Sequence, residues 1–201
     1  MTVILQQIGR YKLWLVLMGL CFLIQAFQLE AYLRFDRALL DQWQLWRLLT
    51  AHLTHLNWSH FFLNMAGLCL FAFFFSAYRS STYWLLAIVF ISLFCSAGIM
   101  IDMQYERYVG FSGVLHGLFI IGGRWELQRY KLSGVMLLLL IVAKIAWEQL
   151  NGALPGSESM TGGSVAINAH LYGAVAGLVY LLLIEIFRKK AQEKENANAR
   201  K

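Results

Sequence analysis

Six apolar segments, each about the length of a membrane-spanning helix, constrain the fold of this chain more than any other feature. A run of about 17 to 25 mostly apolar residues can cross the hydrocarbon core of a bilayer as a helix. The chain has six such runs, at residues 13–29, 60–77, 82–100, 109–127, 132–150 and 166–187. The sequence therefore predicts an all-α polytopic membrane protein built as a six-transmembrane-helix bundle.

The composition agrees with a membrane protein. Charged residues make up 14% of the chain and hydrophobic residues 59%, whereas a typical soluble domain has about 25% charged residues. We predict a stub at residues 1–12, a six-span core at 13–187 with a long outer loop at 30–59, and a charged tail at 188–201. The first span is too long for a cleaved signal peptide and is interpreted as a retained anchor.

The distribution of basic residues predicts that both termini are cytoplasmic. In that orientation the cytoplasmic segments hold twelve Lys and Arg residues, six of them in the tail, and the outer segments hold four. Cytoplasmic flanks of membrane proteins are enriched in these residues. The net charge of +6 is then explained by topology and by contact with anionic lipid, so we expect the bilayer, and no nucleic acid, as a partner.

Polar side chains fall at one depth in three of the predicted spans. Spans two, four and six all run from outside to inside, and His60, Asn64, Ser112 and His170 lie near their starts. At 1.5 Å per residue, each would lie within roughly 10 Å of the outer boundary. Polar residues inside spans are costly and usually face a cavity or one another, so these side chains are expected to meet.

Small residues in spans four and six favour a close approach of those two helices. Gly113 and Gly117 form one small-xxx-small pair, and Gly173 and Gly177 form another. Such pairs allow helix backbones to come close in lipid. This packing would bring the Ser112 hydroxyl within hydrogen-bonding reach of an imidazole on the neighbouring helix.

A serine and a histidine placed in this way predict serine hydrolysis inside the bilayer. A serine hydroxyl is a weak nucleophile unless a base takes its proton, and His170 can do so near neutral pH. Since no Asp or Glu lies near His170 in sequence, a dyad is expected rather than a triad. The unpaired amide of Ser112 at the start of its helix, with His60 and Asn64, would supply donors for an oxyanion.

The same residues resemble the rhomboid family of intramembrane serine proteases. The resemblance covers nearly all of the six-span core and is carried, in order, by three groups of residues: Trp46, Arg47, Thr50, His55, His60 and Asn64; Gly110, Ser112 and Gly113; and Ala169, His170, Gly173 and Gly177. It implies that Ser112 attacks the scissile carbonyl and that His170 acts as base and then as acid. It also implies that His60 and Asn64 help to bind the oxyanion, that Trp46 and Arg47 are structural, and that no cofactor or metal is needed.

One departure from the family pattern points to a narrower branch. Many rhomboids have a tyrosine four residues after the nucleophile, whereas this chain has His116. This residue and the minimal six-span core resemble the rhombosortases. That branch implies a bacterial inner-membrane enzyme with its active site toward the periplasm, which processes envelope proteins carrying a carboxyl-terminal Gly-Gly motif, an apolar helix and a basic tail. His116 would orient His170, serve as a second base or bond within the core.

The motifs leave two features unexplained. Lys144 and Glu148 are spaced to pair with each other in span five, and a role in gating substrate entry is a second possibility. The loop at residues 151–164 contains Pro155 and four glycines and is expected to cap the site.

The alternatives to a serine protease are a metal-dependent membrane protein, a catalytically silent rhomboid relative and a transporter. A metal-dependent membrane protein is considered because five histidines lie in the outer half: His52, His55, His60, His116 and His170. There is no His-Glu-x-x-His motif, however, and we expect no carboxylate beside these histidines inside the spans. A catalytically silent rhomboid relative, which would bind membrane helices, usually lacks the serine or the histidine, whereas this chain has both. A transporter would be expected to show inverted repeats or a pair of broken helices, and the sequence has no obvious sign of either.

Overall fold

The computed structural model describes residues 2–198, and they form a helical bundle joined by short connections and one long loop. In chain order the elements are α1 (Thr2–Ala26), α2 (Glu30–Leu33), β1 (Phe35–Asp36), α3 (Arg37–Leu40), α4 (Arg47–Thr50), α5 (Trp58–Phe75), α6 (Ser81–Asp102), β2 (Arg107–Tyr108), α7 (Ser112–Arg129), α8 (Lys131–Asn151), α9 (Ser157–Thr161) and α10 (Ile167–Asn198). Single 3₁₀ turns follow α4 and α5.

The prediction of an all-α polytopic membrane protein is confirmed. Five of the long helices, α1, α5, α6, α8 and α10, are long and apolar enough to cross a membrane. The sixth, α7, carries Arg124, Glu126 and Arg129 in its last two turns, which lowers its hydropathy. It lies at the centre of the bundle, where nine of its residues are buried, so its neighbours shield it from lipid.

Both ends of the chain are more helical than predicted. Helix α1 already begins at Thr2, inside the predicted stub, and α10 continues to Asn198, through most of the predicted tail. The tail is rich in Lys, Glu, Gln and Ala, which are strong helix formers, and it contains no proline or glycine to end the helix. Residues 1 and 199–201 lie outside the described residues.

Glycines set the closest contact in the bundle, between α7 and α10. A Cβ atom built on Gly173 would lie 1.8 Å from the Gly113 carbonyl oxygen, and one built on Gly177 would lie 2.5 Å from that of Gly117. Only glycine fits at these positions. The predicted close approach of the fourth and sixth spans is therefore confirmed.

The long loop between α1 and α5 is fixed to the segment that precedes α7. Strands β1 and β2 pair antiparallel, with Phe35 opposite Tyr108. The buried Arg47 side chain donates to the carbonyl oxygens of Ala31, at 3.1 Å, and Arg34, at 2.8 Å. The Trp46 indole N–H donates to the Tyr32 carbonyl at 3.3 Å. These contacts agree with a structural role for the Trp46-Arg47 pair.

Candidate active site

Ser112 and His170 lie together although 58 residues separate them in the chain. Ser112 is the first residue of α7, and its Oγ atom is 2.9 Å from Nε2 of His170, near the start of α10. His170 is buried. A hydroxyl and an imidazole at this distance form the hydrogen bond that proton transfer from a serine nucleophile requires.

The turn before Ser112 depends on Gly110. Its φ angle is +121°, in the region that favours glycine, and a Cβ atom there would lie 2.9 Å from the His60 ring. Its N–H donates to the Ala51 carbonyl at 3.1 Å, and its carbonyl accepts from the Tyr108 hydroxyl at 2.8 Å. This turn therefore fixes where α7 begins and how the Ser112 side chain faces the site.

A carboxylate that sequence reasoning did not assign to the site contacts His170. Glu148, on α8, places Oε2 2.8 Å from His170 Nδ1 and Oε1 2.7 Å from Lys144 Nζ. The predicted pairing of Lys144 with Glu148 is thus confirmed, whereas the expectation that no carboxylate accompanies the histidines was wrong. The expectation rested on distance along the chain. Since α8 runs antiparallel to α10, a residue near the end of α8 reaches the depth of His170, near the start of α10.

His116 packs directly against His170. The two imidazole rings stack with centroids 4.2 Å apart and planes 18° apart. His116 Nδ1 lies 2.7 Å from the Ser112 carbonyl oxygen, one turn back on α7. The ring of His116 thus restricts His170 from one face, which fits the orienting role that remains a prediction.

His60 and Asn64 lie on the facing side of the same cavity, on α5. The Asn57 side chain caps this helix by accepting the His60 backbone N–H at 2.8 Å. His60 Nδ1 accepts the Leu56 N–H at 3.4 Å, so the ring proton is on Nε2. Asn64 Nδ2 donates to the His60 carbonyl at 3.0 Å, which leaves its second N–H for another acceptor.

One cavity of about 500 Å³ is lined by the four polar residues expected to meet, His60, Asn64, Ser112 and His170. The loop between α8 and α10 forms part of its wall, through Leu154, Ser157 and residues 161–166. The Asn57 Nδ2 atom donates to the Thr161 carbonyl at 3.0 Å and holds this loop against α5. The loop therefore lies where the sequence predicted a cap.

The histidines do not gather into one metal-binding cluster within the described residues. His52 and His55 lie outside the cavity lining, and burial lowers the pKa of His52 to about 4 and of His55 to about 3. The possible ligand atoms of His116, Glu148 and His170 lie within 4.8 Å of one another. Ring nitrogens bind metals in the ring plane, however, and two stacked rings direct their lone pairs side by side rather than at a common ion. Hydrogen bonding accounts for this cluster better than metal ligation does.

A comparison with protein families agrees with the geometry. The model of the Rhomboid domain matches residues 42–186, a range that includes every residue of the site described above. No curated protein matches the chain. Because the match covers most of the chain and the fold is a polytopic helical bundle, the chain belongs to the rhomboid family, whose members are generally intramembrane serine proteases.

Proposed function

We propose that this protein is an intramembrane serine endopeptidase that cleaves single-span membrane proteins near the outer boundary of the bilayer. The observation that carries the proposal is the 2.9 Å contact between Ser112 Oγ and His170 Nε2, inside a cavity of about 500 Å³ within a membrane bundle. A catalytically silent relative usually lacks the serine or the histidine of this pair.

In the proposed reaction Ser112 Oγ attacks the scissile carbonyl carbon while His170 Nε2 takes the hydroxyl proton. The tetrahedral intermediate collapses when the imidazolium gives that proton to the leaving amine and the peptide C–N bond breaks. Water then attacks the acyl-enzyme and gives a proton to His170; the ester C–O bond breaks, Ser112 Oγ takes the proton back from His170, and the new carboxyl end is released. Apart from this water and the substrate, each step uses only groups that line the cavity, so no cofactor is required.

The oxyanion would be bound by three donors around the Ser112 hydroxyl. The Ser112 backbone N–H at the start of α7 is one, because the first N–H groups of a helix have no partner within it. The Nε2–H group of His60 and the free N–H of the Asn64 amide are the others. Removing one such donor typically slows acyl transfer by about 100- to 1,000-fold.

Substrate would reach the site through an apolar groove of about 310 Å³ that begins at Ser112 and runs between α7 and α8. Its walls are formed mainly by aliphatic and aromatic side chains: Leu115, Phe119, Leu137, Leu140 and Ile141. A transmembrane segment presents the same kind of surface. It must unwind locally to expose a peptide bond, which favours small residues at the cut.

The narrower proposal is a rhombosortase-like enzyme of the bacterial inner membrane. His116 stands where many rhomboids have tyrosine, and a Gly-Gly motif satisfies the need for an easily unwound segment. The expected substrates are envelope proteins whose carboxyl ends carry that motif, an apolar helix and a basic tail. The active site would face the periplasm.

The test compares the carboxyl-terminal peptides of envelope and secreted proteins, by mass spectrometry, from cells with the wild-type protein and cells with Ser112→Ala. Truncation near Gly-Gly only in the wild type is the expected result. Truncation at other sites would keep the protease and discard the narrower branch. Identical termini in both strains, at equal expression, would contradict the proposed activity.

A further inference from the structure

We propose that Glu148 is a positioning residue for His170, so that the site works as a Ser-His-Glu triad with Lys144 as the counter-ion of the glutamate. This inference rests on the proposed function, since it assigns Glu148 a part in the same reaction. It also departs from the dyad expected from the sequence.

The burial of Glu148 calls for an explanation other than packing. Its side chain is 2% exposed, although a carboxylate inside a membrane bundle is costly unless partners satisfy it. Both oxygens have one partner each, Lys144 Nζ at 2.7 Å and His170 Nδ1 at 2.8 Å. The lysine therefore offsets the charge of the carboxylate, and the other oxygen is directed at the catalytic ring.

The contact fixes the tautomer of His170. An ionised carboxylate only accepts hydrogen bonds, so the proton of the neutral ring must lie on Nδ1. Nε2 then holds the lone pair, and Nε2 is the nitrogen that faces Ser112 Oγ at 2.9 Å. Lys144 Nζ also approaches Nδ1, at 3.3 Å, but since both are donors its shorter contact with Glu148 is the hydrogen bond.

The same contact acts during the reaction. When His170 takes the serine proton its ring becomes positive, and the adjacent carboxylate stabilises that charge without taking the proton itself. The stacked His116 ring and the Glu148 carboxylate then restrain His170 from two directions, one on its face and one at its edge. Proton transfer requires this orientation throughout the reaction.

A fluorophosphonate that labels activated serines tests the triad without knowledge of the natural substrate. The Glu148→Gln variant keeps the size of the side chain but can donate to Nδ1, so it no longer selects one tautomer. Glu126→Gln is the matched control, because Glu126 is also a carboxylate with both oxygens hydrogen-bonded, to Tyr78 and Ser133, at the cytoplasmic end of α7. Ser112→Ala identifies labelling of any other residue.

We expect Glu148→Gln to lower the maximal labelling rate by at least about 100-fold, as for loss of the acid in other triads, with the probe concentration at half-maximal rate unchanged. Glu126→Gln should label like the wild type. Equal rates in the two variants, or a loss in Glu148→Gln that comes only from weaker probe binding, would overturn the triad. Failure of the probe to label Ser112 in the wild-type protein would instead contradict the proposed function.

Nitrogen NMR of protein with isotope-labelled histidine reports the tautomer of His170, which would not change if Glu148 had only a structural role. In the wild type the His170 resonances, assigned by their loss in His170→Asn, should show a protonated Nδ1 and an unprotonated Nε2. Glu148→Gln should shift them toward a mixture of tautomers. If the tautomer of His170 is unchanged in Glu148→Gln, the inference is overturned, whatever the rate at which the fluorophosphonate reacts with that variant.

Discussion

At the scale of single residues, Gly110 combines two demands that can be separated by mutation. Its positive φ angle disfavours any side chain, and a Cβ atom would also press on the His60 ring at 2.9 Å. Gly152 has a similar φ of +83° but open space around it. The two glycines therefore form a matched pair.

We predict that Gly110→Ala lowers fluorophosphonate labelling at least about tenfold more than Gly152→Ala does. Both variants carry the cost of an alanine at a positive φ angle that favours glycine, roughly 1–3 kcal/mol, whereas only Gly110→Ala displaces His60 and the start of α7. Labelling rates and melting temperatures of the two proteins in the same detergent would check this. Equal losses of labelling would show that backbone strain, and not the His60 contact, is what matters.

His55 provides a prediction about pH. It is 1% exposed, and neither ring nitrogen has a hydrogen-bond partner among the described residues. Its pKa of about 3 and that of His52, about 4, lie below the usual 6.5 because burial disfavours the charged ring. As the pH falls below 6.5 only the unfolded chain takes up these protons, so the stability present above pH 6.5 is progressively lost, down to about pH 4 for His52 and about pH 3 for His55.

We predict that His55→Phe makes the protein less sensitive to acid. At pH 5 the buried neutral ring costs about 2 kcal/mol of unfolding free energy, and phenylalanine cannot be protonated. Melting temperatures at pH 7.5 and pH 5 should therefore differ less in the variant than in the wild type. An identical pH dependence in both proteins would mean that His55 does not remain neutral when folded.

The residues of the site divide into those the sequence could indicate and one it could not. Four of them, Ser112, His170, His60 and Asn64, lie near the starts of spans two, four and six. Alternate spans cross the bilayer in the same direction, so a depth argument brings these residues together. Glu148 lies near the end of span five, which runs in the opposite direction, and its partner His170 is 22 residues further along the chain. Comparing depths in spans of both directions would have placed Glu148 at the level of His170. The rotation of α8 about its axis, which directs the Glu148 carboxylate at His170 Nδ1, depends on packing and cannot be obtained from depth.

At the scale of elements, the α7–α10 contact sets the distance between the serine and the histidine. We predict that Gly173→Ala, whose Cβ atom would clash with the Gly113 carbonyl at 1.8 Å, separates the helices and abolishes labelling. Overpacking of this kind typically costs about 1–3 kcal/mol. Gly19→Ala, on α1 with nothing within 4 Å, is the control and should label normally, since alanine favours a helix. Normal labelling of Gly173→Ala would show that the bundle adjusts without moving its site.

The long helices could be predicted because runs of apolar residues of this length have few alternatives in lipid. Their ends could not, because helix-forming tail residues extend α10 to Asn198 beyond the apolar run. The long loop was also beyond prediction in detail. Its short helices and the β1–β2 pair depend on contacts such as those of Arg47 with Ala31 and Arg34, which join residues up to 16 positions apart.

At the scale of the whole molecule, the surface of the bundle is apolar where the helices span. Large hydrophobic side chains are exposed on every long helix except α7, among them Phe22, Phe73, Leu86, Leu139 and Leu182. A soluble protein would not expose so much apolar surface. Apart from Lys144 and Glu148, the charged residues of the described long helices lie toward the ends of the apolar runs, and the tail of α10 carries Arg188, Lys189, Lys190 and Lys194.

This charge distribution predicts the orientation, and two cysteine substitutions test it. Cys21 and Cys95 are buried, so Cys69→Ser removes the exposed thiol and gives a background for Ser159→Cys, in the cap loop, and Lys190→Cys, in the tail. Both positions are exposed and neither belongs to the site. Because basic flanks stay in the cytoplasm, a membrane-impermeant maleimide should label Ser159→Cys in intact spheroplasts and Lys190→Cys only after lysis. The reverse pattern would place the cavity and its cap on the cytoplasmic side, where periplasmic envelope proteins could not be substrates. Labelling of both cysteines in intact spheroplasts would mean that the chain inserts in two orientations.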